Sequence, residues 1–401
     1  MRIALYFNLP SGGAKRAIYE TMRRISGRHI VDSYSLSCSN HEFADIRSFV
    51  DNYYIYPFKS LPLFRSPFGR LNQVSRTLDL IRLRLLNRKI ARDIQHKQYD
   101  LLMAHPCQYE KCPSVLRYAQ QMPSAYYCHE PLRAIYEEVP LRPYDITARQ
   151  RKQMIDRYDP FPRMYLRLLK QTDRHNIHSV GTVFVNSQFT GEGVKRYYGV
   201  DSQVSYPGVD GVLFHSAELE KRHMVLSVGS LTPLKGFDFL IRVMKEIPIQ
   251  ERPLLVIASN FQNPPELAYL TGLADSLEVK VDFLGNVTDD NLVELYNQAM
   301  ITLYAPVREP LGLVPLESMA CCTPVVAVRE GGIQETIIHG ETGYLVDRNE
   351  AMFASEVQRL LSDPTLAARL GQNGREYVMK HWNWDQAVDD LERQLSALTR
   401  S

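Results

Sequence analysis

The feature that most constrains this chain is a repeated opening. Residues 2–7 (RIALYF) are a short apolar run, followed by a glycine-containing turn from Pro10 to Gly13 and a helical stretch from about Ala14. Residues 223–229 (HMVLSVG) begin again in the same way, with a turn through Pro233 to Gly236 and a helix from about Phe237. Further apolar runs fall at 100–104, 124–128 and 182–186, then at 253–258, 280–284, 300–304 and 324–328. Strands alternating with helices predict a parallel sheet covered on both faces. Because the pattern restarts near residue 222, the expected fold is α/β, with two doubly wound, Rossmann-like domains facing across a cleft. The 401 residues agree, being too many for one ordinary core. The joint is expected at Tyr206–Asp210 (YPGVD), where Pro207 and Gly208 break the preceding strand. That gives domains at 1–205 and 206–383, and a last helix at 384–401 expected to cross back to the N-terminal domain.

A formal charge of +2 conceals a strong asymmetry. Residues 1–205 hold 31 Lys+Arg against 18 Asp+Glu, a net of +13, and residues 206–401 hold 16 against 27, a net of −11. Halves of opposite sign imply different partners. From Lys59 to Lys97 there are 10 Lys+Arg, and the only acids are Asp79 and Asp93. Within that segment Leu71, Val74, Leu78, Ile81 and Leu85 recur at three- and four-residue steps, one apolar face of a helix. Two readings stay open: the face packs on the domain's own core with the basic side chains solvated, or residues 59–97 lie on an anionic membrane surface. The charge of the whole half favours the membrane. No nucleic-acid recognition motif accompanies it, so no nucleic-acid partner is expected.

No apolar run approaches the roughly 20 residues of a membrane helix, and no signal-peptide cleavage region follows the N-terminal run. Six cysteines occur without a C-x-x-C or a zinc spacing, so no metal is expected. Adjacent Cys321 and Cys322 read as two small buried side chains. These features point to a reduced, cytoplasmic protein, peripheral on the inner face of the cytoplasmic membrane.

The chemistry is expected in the strand-to-helix loops. EPLGLVPLE places Glu309 and Glu317 eight residues apart, directly after the apolar run ITLYAP. Pro310 and Gly312 make a turn from which the amides of Leu311, Gly312 and Leu313 can face a ligand, and a helix N-terminus suits a diphosphate. Lys235, in VGSLTPLKG, stands where it can meet a phosphate. REGGIQE (Arg329–Glu335) and HGETGYLV (His339–Val346) complete the series.

In these four segments the sequence resembles the retaining glycosyltransferases of family 4, which have the GT-B fold. That family's C-terminal domain carries, in this order, a G-R-L-x-x-x-K-G loop, an E-x7-E motif, a G-G-x-x-E turn and a G-x-T-G-x-L-V segment. The resemblance implies that residues 206–383 bind a nucleotide diphosphate sugar (GDP- or UDP-hexose) and residues 1–205 an acceptor. Glu309 would hold the hexose hydroxyls and Glu317 the ribose. Lys235 and the amides of Leu311, Gly312 and Leu313 would neutralise the leaving diphosphate. Ser230 stands where the family has a phosphate-binding arginine, and Arg308 is the candidate substitute. In the first half, Gly12 and Gly13 of PSGGAKR resemble the family's first loop, a donor contact. His129 of SAYYCHEPLR resembles its active-site histidine, with Glu130 and Arg133 as acceptor contacts or surface charges. The resemblance implies retaining transfer of a hexose, with mannose a candidate, to a saccharide acceptor. A lipid-linked acceptor follows from the basic first half, and no cofactor or metal is expected. Two alternatives stay open: an isomerase like the nucleotide-sugar 2-epimerases, and a non-catalytic nucleotide-sugar-binding protein.

Overall fold

The computed structural model describes residues 1–10, 12–65, 71–144, 160–261 and 263–399. The chain divides into two compact units: Met1–Glu138, Ala148–Pro207 and Asp385–Ser401 form the first, and Val139–Thr147 with Gly208–Trp384 the second.

The first unit is built on seven parallel strands in the order β3-β2-β1-β4-β5-β6-β7. They are β1 (Arg2–Asn8), β2 (Ile30–Leu36), β3 (Asn52–Tyr56), β4 (Leu101–Cys107), β5 (Ser124–Cys128), β6 (Thr182–Val185) and β7 (Gln203–Val204). The second holds six parallel strands in the order β10-β9-β8-β11-β12-β13. These are β8 (Met224–Val228), β9 (Leu254–Ser259), β10 (Val281–Gly285), β11 (Ile301–Tyr304), β12 (Val325–Val328) and β13 (Gly343–Val346). All nine apolar runs marked in the sequence are strands, since a strand with helices over both faces must be apolar on both sides. β2 escaped notice because it buries Asp32, Ser33 and Ser35 among its apolar residues. Asp32 accepts hydrogen bonds from Asn52 Nδ2 (2.8 Å) and from the Tyr99 hydroxyl, so the buried carboxylate is satisfied.

The helix Asn72–His96 answers the question left by its pattern. Its buried side carries Leu80, Leu83, Asn87, Ile90 and Ile94. Leu71, Leu78, Ile81 and Leu85 are exposed. Two stripes with the same three–four rhythm run along this helix, offset by two residues, or about 200° at 3.6 residues per turn. The sheet takes one, and the stripe read from the sequence faces outward. Residues 66–70 of the basic segment lie outside the described residues.

One boundary differs from the sequence reading. The segment Val139–Thr147, expected within 1–205, belongs to the second unit. Arg142 is the reason: it is 4% exposed and bonds Glu266 (2.8 Å) and Asp238 (2.8 Å). Tyr144 Oη donates to the same Glu266 (2.6 Å). A buried guanidinium must keep its carboxylates, which fixes the segment to the helices Phe237–Glu246 and Pro264–Ser276. At the joint, a side chain on Gly208 would fall 2.4 Å from the Trp384 amide nitrogen, and Val209 N–H donates to Trp382 O (2.7 Å). The last helix, Trp384–Leu398, is tied to the first unit by Arg24–Asp385 (2.7 Å) and Arg28–Asp389 (2.8 Å).

Candidate active site

In each unit the strand order reverses at one place, between β1 and β4 in the first and between β8 and β11 in the second. Chain segments leave the sheet in opposite directions there, so the loops after those strands leave a crevice at their carboxyl ends. In the second unit these two loops hold Lys235 and Glu309. Lys235 Nζ lies 3.0 and 2.9 Å from Glu309 Oε1 and Oε2. Both side chains are partly exposed, 23% and 17%. The pair is partly buried, and it presents a cation and a carboxylate side by side.

The surrounding backbone explains the glycines. Gly236 has φ 67°, and a Cβ there would sit 2.0 Å from Ala305 O, so the two loops touch main chain to main chain. Gly332 N–H donates to Glu309 O (2.9 Å). Side chains on Gly331 and Gly332 would fall 2.4 Å from Glu309 O and 2.1 Å from Pro310 O. The G-G turn therefore clamps the main chain that carries Glu309. Arg348, which the sequence reading passed over, fixes the approach to it. Its guanidinium pairs with Glu330 (2.7 and 3.0 Å) and donates to the carbonyls of Ala305 (3.1 Å) and Pro306 (3.0 Å). Its only sequence signal is its place two residues after HGETGYLV.

Gly312, at φ 96°, opens the helix Leu313–Ala320. The amides of Leu311, Gly312 and Leu313 stand at this N-terminus, where first-turn N–H groups lack intrahelical acceptors. Leu311 itself is buried. Glu317 Oε2 accepts from the buried Tyr296 hydroxyl (2.9 Å), so it is oriented by a residue of the helix Asp289–Gln298. Arg308 is exposed, sits at φ 48° and makes no ion pair among the described residues. Ser230 is half-buried. Of the adjacent cysteines, Cys321 is buried as expected, but Cys322 is only half-buried and sits at φ 56°.

In the first unit Gly12 caps the helix Gly13–Ile25 at φ 126°, a conformation reserved for glycine, and a Cβ there would meet nothing within 4 Å. The space beside the loop is open. His129 follows β5 and lies against His105 of β4, His129 Nε2 being 3.2 Å from His105 Nδ1. Burial pulls the His129 pKa down to about 3, helped by the nearby Lys111 charge. Glu130 accepts from Lys111 Nζ (2.7 Å), and Arg133 Nε donates to Glu137 (2.9 Å) across one helical turn. Both charges are thus already paired inside the unit. The sequence reading also missed Lys15. It is 2% exposed, its Nζ has no hydrogen-bond partner among the described residues, and burial lowers its pKa.

Two Rossmann-like sheets with the strand order of dinucleotide-binding proteins, each with its loops at the carboxyl ends of the strands, define the GT-B class of fold. The family profile described as Glycosyl transferases group 1 matches residues 213–377, within the second unit. The chain is 36% identical over 205 residues to a D-inositol 3-phosphate glycosyltransferase of Acidothermus cellulolyticus, covering 46% of this chain and 45% of that protein. It is 25% identical over 330 residues to the human alpha-1,3/1,6-mannosyltransferase ALG2, covering 75% and 74%. The first of these alignments therefore spans less than half of the relative's length. Among solved structures, Anabaena HepE, crystallised with UDP and glucose, is similar with a TM-score of 0.72 over 99% of both chains at 18% identity. That likeness is one of fold.

Proposed function

We propose that this protein is a retaining hexosyltransferase that takes its sugar from a nucleotide diphosphate hexose. The observation that carries the reading is the Lys235–Glu309 pair at the switch point of the second unit, flanked by the helix N-terminus at Leu311–Leu313. On donor binding, Lys235 turns from Glu309 to the diphosphate, which the three amides also approach, and Glu309 is released to accept hydrogen bonds from the hexose hydroxyls. Negative charge grows on the departing diphosphate as the glycosidic bond lengthens, and fixed positive dipoles and a lysine favour that state over the ground state. Glu317, held by Tyr296, takes the ribose diol. Arg308 is the second cation, where Ser230 has no charge to offer. In this scheme lysine and amides supply the neutralisation, and no metal is needed. Gly12 and Gly13 give the donor close access to the first unit, and His129 meets the sugar. Glu130 and Arg133 reach the acceptor by exchanging their present partners. No side chain is assigned as a covalent nucleophile, and attack occurs from the face the leaving group vacates.

UDP or GDP serves as the nucleotide; HepE was crystallised with UDP, and ALG2 is named a mannosyltransferase. The acceptor is a saccharide, and the outward stripe of Asn72–His96 supports a lipid-linked one. No helix of the described residues is long and apolar enough to cross a membrane. Leu71, Leu78, Ile81 and Leu85 are exposed among basic side chains, a combination that binds anionic bilayers from one side. The protein then works at the inner face of the cytoplasmic membrane.

The test is a thermal-shift panel of UDP-, GDP-, ADP- and CMP-hexoses with and without EDTA, on wild type and Glu317→Ala. Stabilisation by one nucleotide family that survives EDTA and is lost in the variant is the expected result. If no nucleotide sugar stabilises the protein and none is turned over with lipid acceptors present, the proposal falls.

A further inference from the structure

His129 is held by a structure that no motif in the sequence announces. β4 and β5 pair in parallel, Leu102 opposite Ser124 and Ala104 opposite Tyr126. Continuing that register brings His105 to Tyr127, and the three rings of His105, Tyr127 and His129 stack. His105 lies 5.4 Å from Tyr127 at 16°, Tyr127 lies 4.7 Å from His129 at 37°, and the two imidazoles are 5.4 Å apart at 28°. Tyr127 is fixed in turn by its hydroxyl, which donates to Ser205 O.

The 3.2 Å contact from His105 Nδ1 to His129 Nε2 needs one proton between the two nitrogens. Burial lowers both imidazole pKa values, that of His105 with a further push from His129. At neutral pH each ring therefore carries one proton. If His129 donated, the proton of His105 would sit on Nε2, which is buried without a partner among the described residues. An orphaned buried N–H is among the rarest arrangements in folded proteins. If His105 donates from Nδ1, its Nε2 is a bare nitrogen, and the proton of His129 must be on Nδ1. We propose that His105 is a positioning residue that fixes His129 with its proton on Nδ1, so that His129 presents a hydrogen-bond donor, and not a base, to an oxygen of the bound sugar. The inference rests on the reading of His129 as a sugar contact.

The experiment uses the full chain with 15N-labelled histidine. Long-range 1H–15N spectra at pH 7 read the His129 tautomer, and kinetics with the nucleotide hexose identified by thermal shift give kcat and KM. The expected wild-type state is Nδ1–H. His105→Asn, whose side-chain amide occupies the place of Nδ1, keeps that tautomer and keeps kcat within about threefold. His105→Phe preserves the aromatic stack but removes the donor; it gives a tautomer mixture and lowers kcat about tenfold, with donor KM within about twofold. Melting curves separate a folding defect from a positioning defect, and the Asn variant carries the test if the Phe variant is unstable. An Nε2–H tautomer in wild type overturns the proposal, as does an unchanged tautomer and kcat in His105→Phe. Absence of any transfer activity would remove the reading of His129 as a sugar contact, while the tautomer assignment would stand or fall on the spectra alone.

Discussion

The two switch points are built on the same topology and filled with different side chains. In the second unit the loops after β8 and β11 present a partly buried ion pair, Lys235–Glu309, over a main chain packed through glycines. In the first, the loop after β1 is an empty glycine turn. Around β4 and β5 stand two stacked imidazoles that burial holds toward the neutral form, a fully buried carboxyl, Glu110, whose pKa burial raises to about 7, and the ion pair Lys111–Glu130. Overall charge does not forecast this difference, since the basic half sets imidazoles beside its ion pair and the acidic half sets a lysine on a glutamate. Net charge therefore does not tell which side chains stand at the strand ends of each unit.

That contrast can be broken most sharply at Lys235. If the second unit works by charge, Lys235→Ala lowers kcat/KM by about 100- to 1,000-fold, the scale for losing one group that stabilises a developing anion. Steady-state assays at saturating acceptor measure it, and a loss below tenfold would mean that the amides of Leu311–Leu313 suffice. The first unit is tested by pH. Glu110 is fully buried, accepting from Asn87 and Ser114, and its folded pKa of about 7 lies above the ordinary 4.5. Folding therefore takes up a proton between those values, and the contribution of Glu110 is most favourable below about pH 4.5. It is lost as pH rises through about 7, by about 3 kcal/mol as an order of magnitude. Chemical denaturation should show wild type losing stability relative to Glu110→Gln between pH 5 and pH 8; parallel curves would place the titration elsewhere. The smallest expected effect concerns the surfaces. Replacing Leu78 and Ile81 together by serine should weaken sedimentation with anionic vesicles about tenfold and leave melting unchanged. Equal binding by both proteins would return that stripe to an ordinary solvated face.

Legibility differed between the units for a physical reason. The second-unit site residues lie in contiguous segments because each strand-to-helix loop combines a glycine, a turn and a polar side chain within a few residues. Glu309 and Gly312 could be read for that reason, and so could the clamp at Gly331–Gly332. The His105–His129 pair could not, because its partners come from adjacent parallel strands 24 residues apart, and only strand register brings them together. Arg348 and Arg142 were invisible for a related reason, since their carboxylate partners are 18 and 124 residues away. The exposed apolar stripe was half legible: periodicity found an apolar face on Asn72–His96, but two such faces exist, and packing chose which one to bury.

By itself the sequence determined the alternation of apolar runs and helices, hence two parallel sheets, and the loops in which second-unit chemistry had to fall. These follow from rules that act over a few residues: burial of strands on both faces, and the backbone freedom of glycine in tight turns. The tertiary structure alone decided that Val139–Thr147 joins the second unit, that Lys235 rests on Glu309, and that His105 stands behind His129. Each of these is a contact between distant segments, fixed by where the sheet register and the pairing of buried charge set the side chains, and no local pattern encodes it.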